Sequence, residues 1–130
     1  MKITVLAGDG IGPEITDAAL VVLKKTAQVF GLDISYDHQL MGGCAYDAYG
    51  TPLPEVTLQS AKAADGVLLG AVGGPKWDQL PDVTKRPEKG LLAIRKALGL
   101  YCNLRPVTVR PYVAHLSPLK TERAEGADLV

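Results

Sequence analysis

Short apolar runs alternate with longer amphipathic segments over the first 70 residues, and this alternation constrains the fold most strongly. Residues 3–6 form an apolar run bounded by glycine, which is typical of a buried strand. Pro13 and Glu14 then favour the start of a helix, and Gly31 favours its end. The apolar positions recurring within this helix are Ile15, Ala18, Ala19, Val22 and Leu23.

Two more strands and a second helix complete the alternation. Around residues 34–39 the side chains alternate with the period of a half-exposed strand, with Ile34, Tyr36 and His38 on one face and Ser35, Asp37 and Gln39 on the other. A helix is predicted to follow the stretch TPLPE at 51–55 and to end near Asp65, and residues 67–69 form a fully apolar strand. The order strand, helix, strand, helix, strand predicts an α/β fold with a parallel sheet.

The rest of the chain is less regular. Residues 73–87 form a long loop rich in proline and glycine, and long ordered loops are often functional. A third helix is predicted over 88–98. Prolines limit the strand predicted over 101–112 to a sheet edge or a domain crossover, and residues 126–130 resemble a turn entering another buried strand.

The composition limits which classes of binding partner we expect. The 14 basic and 14 acidic side chains cancel, and the pI is about 6.7, which favours neither nucleic acid nor an anionic membrane surface. The first residues lack the apolar core of a signal peptide, so we expect a cytoplasmic protein. Cys44 and Cys102 are accordingly expected to be reduced thiols.

The glycines of AGDGIGPEI, at residues 7–15, invite comparison with a dinucleotide-binding loop. That loop needs G-x-G-x-x-G, whereas Gly8, Gly10 and Gly12 are spaced G-x-G-x-G and Pro13 takes the third glycine's position. The spacing therefore argues against a Rossmann fold and favours a tight turn. A weaker cofactor role survives, because glycine lets the backbone approach a ligand closely.

The third helix carries the clearest chemical pattern. Glu88, Leu91, Leu92 and Arg95 share a helix face about 100 degrees wide. They could form a core stripe of two leucines flanked by solvated charges, or a pocket in which Arg95 binds a carboxylate in a bidentate manner. Arg105, beside Pro106, could supply a second cation to such a pocket.

Five ordered segments resemble the isopropylmalate dehydrogenases of the isocitrate/isopropylmalate dehydrogenase family. They are GDGIGPE at 8–14, LLGAVGGPKWD at 68–78, RPEKGLLAIRK at 86–96, LYCNLRP at 100–106 and LSPLK at 116–120. The resemblance implies that family's non-Rossmann α/β fold, present here as an incomplete parallel or mixed sheet with flanking helices. It also implies that residues 1–100 belong to a discontinuous first domain and that residues 101–130 begin a second.

The resemblance implies an activity as well. The family branch carries out NAD-dependent oxidative decarboxylation of (2R,3S)-3-isopropylmalate to 4-methyl-2-oxopentanoate in leucine biosynthesis, assisted by Mg²⁺ or Mn²⁺, as a homodimer. Two alternatives remain open. One is a related dehydrogenase of tartrate, D-malate or homoisocitrate, and the other is a non-catalytic regulatory subunit of the same family.

Residue roles follow from the same resemblance. Arg95 and Arg105 match substrate-binding arginines, and Leu91 and Leu92 match residues that contact the isopropyl group. The residues expected to border the cofactor are Ile11, Gly74, Pro75, Lys76, Trp77 and Glu88. No catalytic residue or metal ligand is expected among the 130 residues, since the family's counterparts lie beyond Val130. The polypeptide alone is therefore expected to be inactive and poorly stable.

Overall fold

A three-stranded parallel sheet forms the centre of the first part of the chain. In this computed structural model, which describes residues 1–130, β1 (Lys2–Gly8) lies between β2 (Ser35–His38) and β3 (Gly66–Ala71). Lys2 is registered opposite Ser35 on one side, and Ile3 opposite Gly66 on the other. The parallel α/β sheet predicted from the sequence is confirmed.

The chain divides into two compact units, Met1–Leu100 and Tyr101–Val130. The helices of the first unit are α1 (Gly12–Phe30), α2 (Gly43–Tyr49), α3 (Glu55–Lys62), α4 (Pro75–Asp78) and α5 (Pro87–Ala97), with a 3₁₀ turn at Val83–Lys85. No helix of the chain is both long enough and apolar enough to cross a membrane.

The core of the first unit lies between the sheet and its helices. Its buried cluster consists of Leu6 of β1, Met41 of the loop before α2, Ala61 of α3 and Ile94 of α5. Burying Leu6, Met41 and Ile94 contributes roughly 1.5–3 kcal/mol each relative to leaving them exposed, and the smaller Ala61 contributes less. The core therefore holds α5 against β1 and α3.

Helix α1 begins and ends where the sequence predicted, but a different face is buried. Its buried residues are Gly12, Thr16 and Leu20, whereas Ile15 and Val22 are exposed. The reason is a close approach of the helix to β3. A Cβ on Gly70 would overlap the Thr16 hydroxyl and lie 2.9 Å from the Gly12 carbonyl oxygen, so small residues face the sheet.

Several expectations about local structure are wrong. Helix α2 was not predicted at all, and the long loop contains α4 as well as the 3₁₀ turn. The strand predicted over 101–112 shrinks to β4 (Val107–Thr108), because its prolines lack the N–H groups that a longer ladder needs. The chain's last strand, β5 (Asp128–Leu129), is exposed rather than buried.

The second unit is small. Strands β4 and β5 pair in an antiparallel ladder, with Val107 opposite Leu129. A 3₁₀ helix at Pro111–Leu116 and the short helix α6 (Thr121–Ala124) lie between these strands in sequence. Each of these two helices buries one alanine, Ala114 and Ala124 respectively.

Candidate functional site

The candidate site lies at the carboxyl ends of β1 and β3, the end of a parallel sheet at which ligands usually bind. The backbone N–H of Asp9 donates to the Ala71 carbonyl oxygen at 2.6 Å and holds the opening turn against the end of β3. Gly8 adopts φ 77°, and a Cβ there would overlap the Ala71 oxygen. The opening glycines therefore allow a tight turn, as the sequence predicted, that brings two strand ends together.

Asp9 is the most highly connected side chain of this turn. Its carboxylate belongs to a residue only 3% exposed. Oδ2 accepts hydrogen bonds from the backbone N–H groups of Gly43, at 2.7 Å, and Gly73, at 2.9 Å, while Oδ1 accepts one from Cys44 at 2.7 Å. Three donors compensate a buried carboxylate for the water it has lost.

Two of those donors belong to the first turn of α2. The helix's N-cap is Gly42, which has no side chain to offer, so Asp9 caps the helix from a distant part of the sequence. A Cβ on Gly42 would overlap Oδ2 of Asp9, and its φ of 93° also favours glycine. Burial, together with the negative charge of Asp9, raises the pKa of the neighbouring Cys44 thiol.

Helix α4, which follows the loop after β3, rests on α2. The Trp77 ring lies over Gly43, where a Cβ would overlap the ring. Its Nε1 donates to Asp47 Oδ1 at 3.1 Å, and Lys76 Nζ donates to Asp47 Oδ2 at 2.6 Å. These hydrogen bonds, from Lys76 and then Trp77, lower the pKa of Asp47 below its ordinary value.

Glu88 approaches the same loop from the first turn of α5. A Cβ on Gly73 would lie 2.8 Å from Glu88 Oε1, so the carboxylate is placed directly against the loop backbone. Ile11, in the opening turn, is 55% exposed. The structure thus gathers the residues predicted to border a cofactor at one end of the sheet: Ile11, Gly74, Pro75, Lys76, Trp77 and Glu88.

The predicted substrate residues of α5 share one face of the helix, with Leu91 at its buried edge, Leu92 at its exposed edge and the exposed Arg95 between them. Leu91 is half-buried, packs against the core and, with Arg95, lines an apolar cavity of about 120 Å³. Leu92 is 56% exposed. The salt bridges of the chain join Lys2 to Asp37 and Lys76 to Asp47, so Glu88 and Arg95 form none. The core-stripe interpretation therefore holds for Leu91 but not for Leu92.

Arg105 belongs to the second unit, where it is exposed just before β4. The free thiols are Cys44, half-buried, and Cys102, exposed. No group of three or more His, Cys, Asp or Glu side chains is arranged to hold a metal ion. The chain's own residues therefore do not fit a complete site for a divalent cation.

Sequence reasoning missed Asp9, Asp47 and α2. One signal was available for Asp9. It is an acidic residue between two glycines directly after an apolar strand, and a charged side chain buried at such a position needs partners from elsewhere in the sequence. Asp47 gave no such signal, because its partners are about 30 residues away in the sequence.

A parallel sheet with a glycine-rich turn and anchored loops at its strand ends defines an α/β protein that lacks the Rossmann fingerprint. The chain belongs to the isocitrate/isopropylmalate dehydrogenase family, whose model matches residues 2–130. The resemblance stated from the sequence and the fold expected from it are both confirmed.

Relatives and solved structures agree with this assignment. The chain is 59% identical to the 3-isopropylmalate dehydrogenase of Halalkalibacterium halodurans, over 99% of this chain and 35% of that protein, and 56% identical to that of Aquifex aeolicus over the same shares. The chain therefore spans about a third of the length of these relatives.

Two crystal structures share the fold. The apo β-decarboxylating dehydrogenase of Thermococcus kodakarensis aligns with a TM-score of 0.64 and 33% identity, covering 83% of this chain and 30% of that one. Isocitrate dehydrogenase from Methylococcus capsulatus aligns with a TM-score of 0.64 and 37% identity, covering 82% and 28%.

Proposed function

We propose that these residues form the N-terminal part of an NAD-dependent 3-isopropylmalate dehydrogenase. Such an enzyme oxidatively decarboxylates (2R,3S)-3-isopropylmalate to 4-methyl-2-oxopentanoate in leucine biosynthesis. The observation that carries the proposal is the exposed face of α5, where an aliphatic Leu92 lies one turn from an unpaired Arg95. The names of the relatives, identical at more than half of the aligned positions, support the same substrate.

The proposed substrate has the chemistry that this face can select. The guanidinium of Arg95 can bind a carboxylate in a bidentate manner. Arg105 is proposed as a second substrate-binding arginine from the resemblance of its sequence segment alone. Leu92, with the accessible part of Leu91, contacts the isopropyl group. A substrate carrying a third carboxylate in that position would lose hydration against leucine without gaining a partner, so isocitrate is disfavoured.

The residues near Gly73 fit the nicotinamide end of NAD. Glu88 places an unpaired carboxylate at the loop backbone, where it can accept hydrogen bonds from an amide, and Ile11 offers an apolar contact. Gly74, Pro75, Lys76 and Trp77 form the adjoining wall. When bound, NAD supplies the acceptor for the hydride removed from the substrate. The residues of this chain orient the two molecules and contribute no proton transfer.

The remaining parts of the proposal concern the complete enzyme. It uses Mg²⁺ or Mn²⁺, whose ligands the family resemblance places outside these 130 residues. It is a cytoplasmic homodimer in which residues 1–100 belong to the first domain and 101–130 begin the second. The boundary between the compact units, at Leu100 and Tyr101, supports that division.

The test is NADH formation by the complete chain with 3-isopropylmalate, isocitrate and D-malate as competing substrates. We expect preference for 3-isopropylmalate; preference for isocitrate would contradict the proposal. Arg95→Lys keeps the charge but removes the planar fork, and it should lower kcat/KM about 100-fold. Lys96→Gln, a change at the neighbouring exposed position, serves as the control and should leave kcat/KM within about twofold.

The 130-residue polypeptide provides a second test. It should give no metal-dependent NADH production, because the proposal assigns it neither metal ligands nor a proton-transfer group. Activity of this polypeptide alone would show that the chemistry has been assigned to the wrong part of the protein. A complete chain that binds substrate without turnover would instead indicate the regulatory-subunit alternative.

A further inference from the structure

Asp9 joins three segments that are far apart in the sequence. It follows β1, and its carboxylate binds the first turn of α2 through Gly43 and Cys44 and the loop after β3 through Gly73. Its own backbone is fixed on both sides, because its N–H donates to Ala71 and its carbonyl oxygen accepts from Gly12 at 2.8 Å. The carboxylate therefore projects from a rigid point.

These bonds determine where the loop after β3 begins. Gly73 is the residue against which Glu88 packs, and Gly74 is the N-cap of α4. The same carboxylate that fixes Gly73 also fixes the start of α2, on which Trp77 rests. Asp9 thus controls both the starting point of the segment 73–77 and the surface that supports it.

We infer that Asp9 is the positioning residue of the segment 73–77 and determines how well that segment binds a dinucleotide. The inference rests on the proposed function for the identity of the ligand. Asp9 is only 3% exposed, so the inference gives it a positioning role and no direct contact with cofactor or substrate. It acts through backbone N–H groups, which no side-chain substitution at Gly43, Cys44 or Gly73 can remove except proline.

Two substitutions at Asp9 should have graded effects. Asp9→Ala removes both acceptor oxygens and so leaves three backbone N–H groups without a partner. Asp9→Asn keeps the size but presents an NH₂ group to at least one of those donors in either orientation, so it preserves at most two bonds. A response in the order alanine, asparagine, wild type is therefore the signature of positioning by hydrogen bonds.

The experiment uses the complete chain and two measurements. The Kd of NAD, measured by calorimetry without substrate, should rise about 10-fold or more in Asp9→Ala and less in Asp9→Asn. Hydrogen exchange, followed by mass spectrometry, should accelerate in peptides covering residues 73–77. In turnover, the KM for NAD should rise more than the KM for 3-isopropylmalate.

Thr57→Val is the matched control. Thr57 is fully buried and donates to the Leu40 carbonyl oxygen at 2.7 Å, so this variant loses a buried hydrogen bond away from the segment. It should destabilise the fold without changing the Kd of NAD. If Asp9→Ala resembles Thr57→Val, with altered stability and an unchanged Kd, Asp9 has only a structural role and the inference is wrong.

The two proposals fail separately. A wild-type chain that binds NAD but does not oxidise 3-isopropylmalate contradicts the proposed substrate, while the NAD titrations of the Asp9 variants still decide the positioning role. A wild-type chain that does not bind NAD contradicts the positioning role as stated. An unchanged exchange rate over residues 73–77 in Asp9→Ala would also overturn it, whatever the activity.

Discussion

The two parts of the candidate site are held in different ways. In the segment 73–77, Asp9 binds the backbone N–H of Gly73. Asp47 binds the side chains of Lys76 and Trp77, which therefore already have partners within the chain. The exposed face of α5, formed by Glu88, Leu92 and Arg95, has no salt bridge. One part is held in place by contacts within the chain, whereas the charged side chains of the other have no ion pair to fix them.

Within α5 itself, two residues only two positions apart differ sharply in burial. Ile94 is buried in the core, and Leu92 is 56% exposed. Ile94→Ala should lower the free energy of unfolding by about 2–5 kcal/mol, whereas Leu92→Ala should change it by less than about 0.5 kcal/mol. Urea denaturation of both variants, at about 10–20 °C where stability is usually greatest, measures the contrast.

Equal losses in the two variants would mean that Leu92 is packed rather than free to meet a ligand. Substrate preference, unlike stability, should respond to the substitution of Leu92. Leu92→Ala in the complete chain should weaken the preference for 3-isopropylmalate over isocitrate, because it reduces the apolar surface that excludes a carboxylate.

The support of α4 on α2 can be broken by one methyl group. Gly43→Ala should push the Trp77 ring away and lower the free energy of unfolding by about 1–3 kcal/mol, the usual cost of overpacking. Trp77 is the only tryptophan of the chain, so its emission should shift to the red as the ring gains water. Denaturation curves followed by fluorescence give both quantities.

Gly66→Ala is the control for that substitution. Gly66 begins β3, has an ordinary φ and has nothing within 4 Å of an added Cβ. It should leave the Trp77 emission unchanged. If Gly43→Ala also leaves the emission unchanged, the ring is not held against Gly43, and the hydrogen bonds to Asp47 alone must account for the contact of α4 with α2.

The sequence predicted the parts of the fold that short-range patterns determine. The apolar run of β1, Pro13 at the start of α1 and Gly31 at its end are local signals, and each was read correctly. The periodicity of α5 identified the right helix but not which edge of its face is buried. Leu91 and Leu92 lie at opposite edges of a face about 100 degrees wide, and periodicity alone does not say which edge meets the core.

Long-range contacts account for what was missed. Asp37 lies on the strand face opposite Ile34 and Tyr36, and its half-buried position depends on Ser60, which donates to it, and Lys2, which pairs with it. Helix α2 has only seven residues and receives its cap from Asp9. Neither feature has a signature within the few residues that a sequence pattern compares.

A substitution at Asp47 should loosen the segment 73–77 with little effect on the stability of the fold. Asp47→Asn retains an oxygen for the Trp77 indole but removes the negative charge that pairs with Lys76. Hydrogen exchange over residues 75–78 should accelerate while the unfolding midpoint hardly changes, because exposed ion pairs contribute little to stability. Asp65→Asn, another exposed aspartate but one that bonds the Lys2 backbone, should leave that exchange rate unaltered.

The smallest effect should come from protonating Asp47. Hydrogen bonds from Lys76 and Trp77 lower the pKa of this carboxyl in the folded chain below its ordinary value of 3.8. The unfolded chain therefore takes up the proton first as the pH falls. The stabilising contribution is complete above pH 3.8 and is lost as the pH falls through the folded-state pKa.

Trp77 emission should shift within that acid range while the far-ultraviolet circular dichroism of the folded chain persists. The Asp47→Asn variant has no such carboxyl and should show no shift; an identical shift in both proteins would mean that another group controls the indole. Asp37 and Asp82 also have lowered pKa values, so only the loss of the shift in Asp47→Asn assigns it to the contact between α2 and α4.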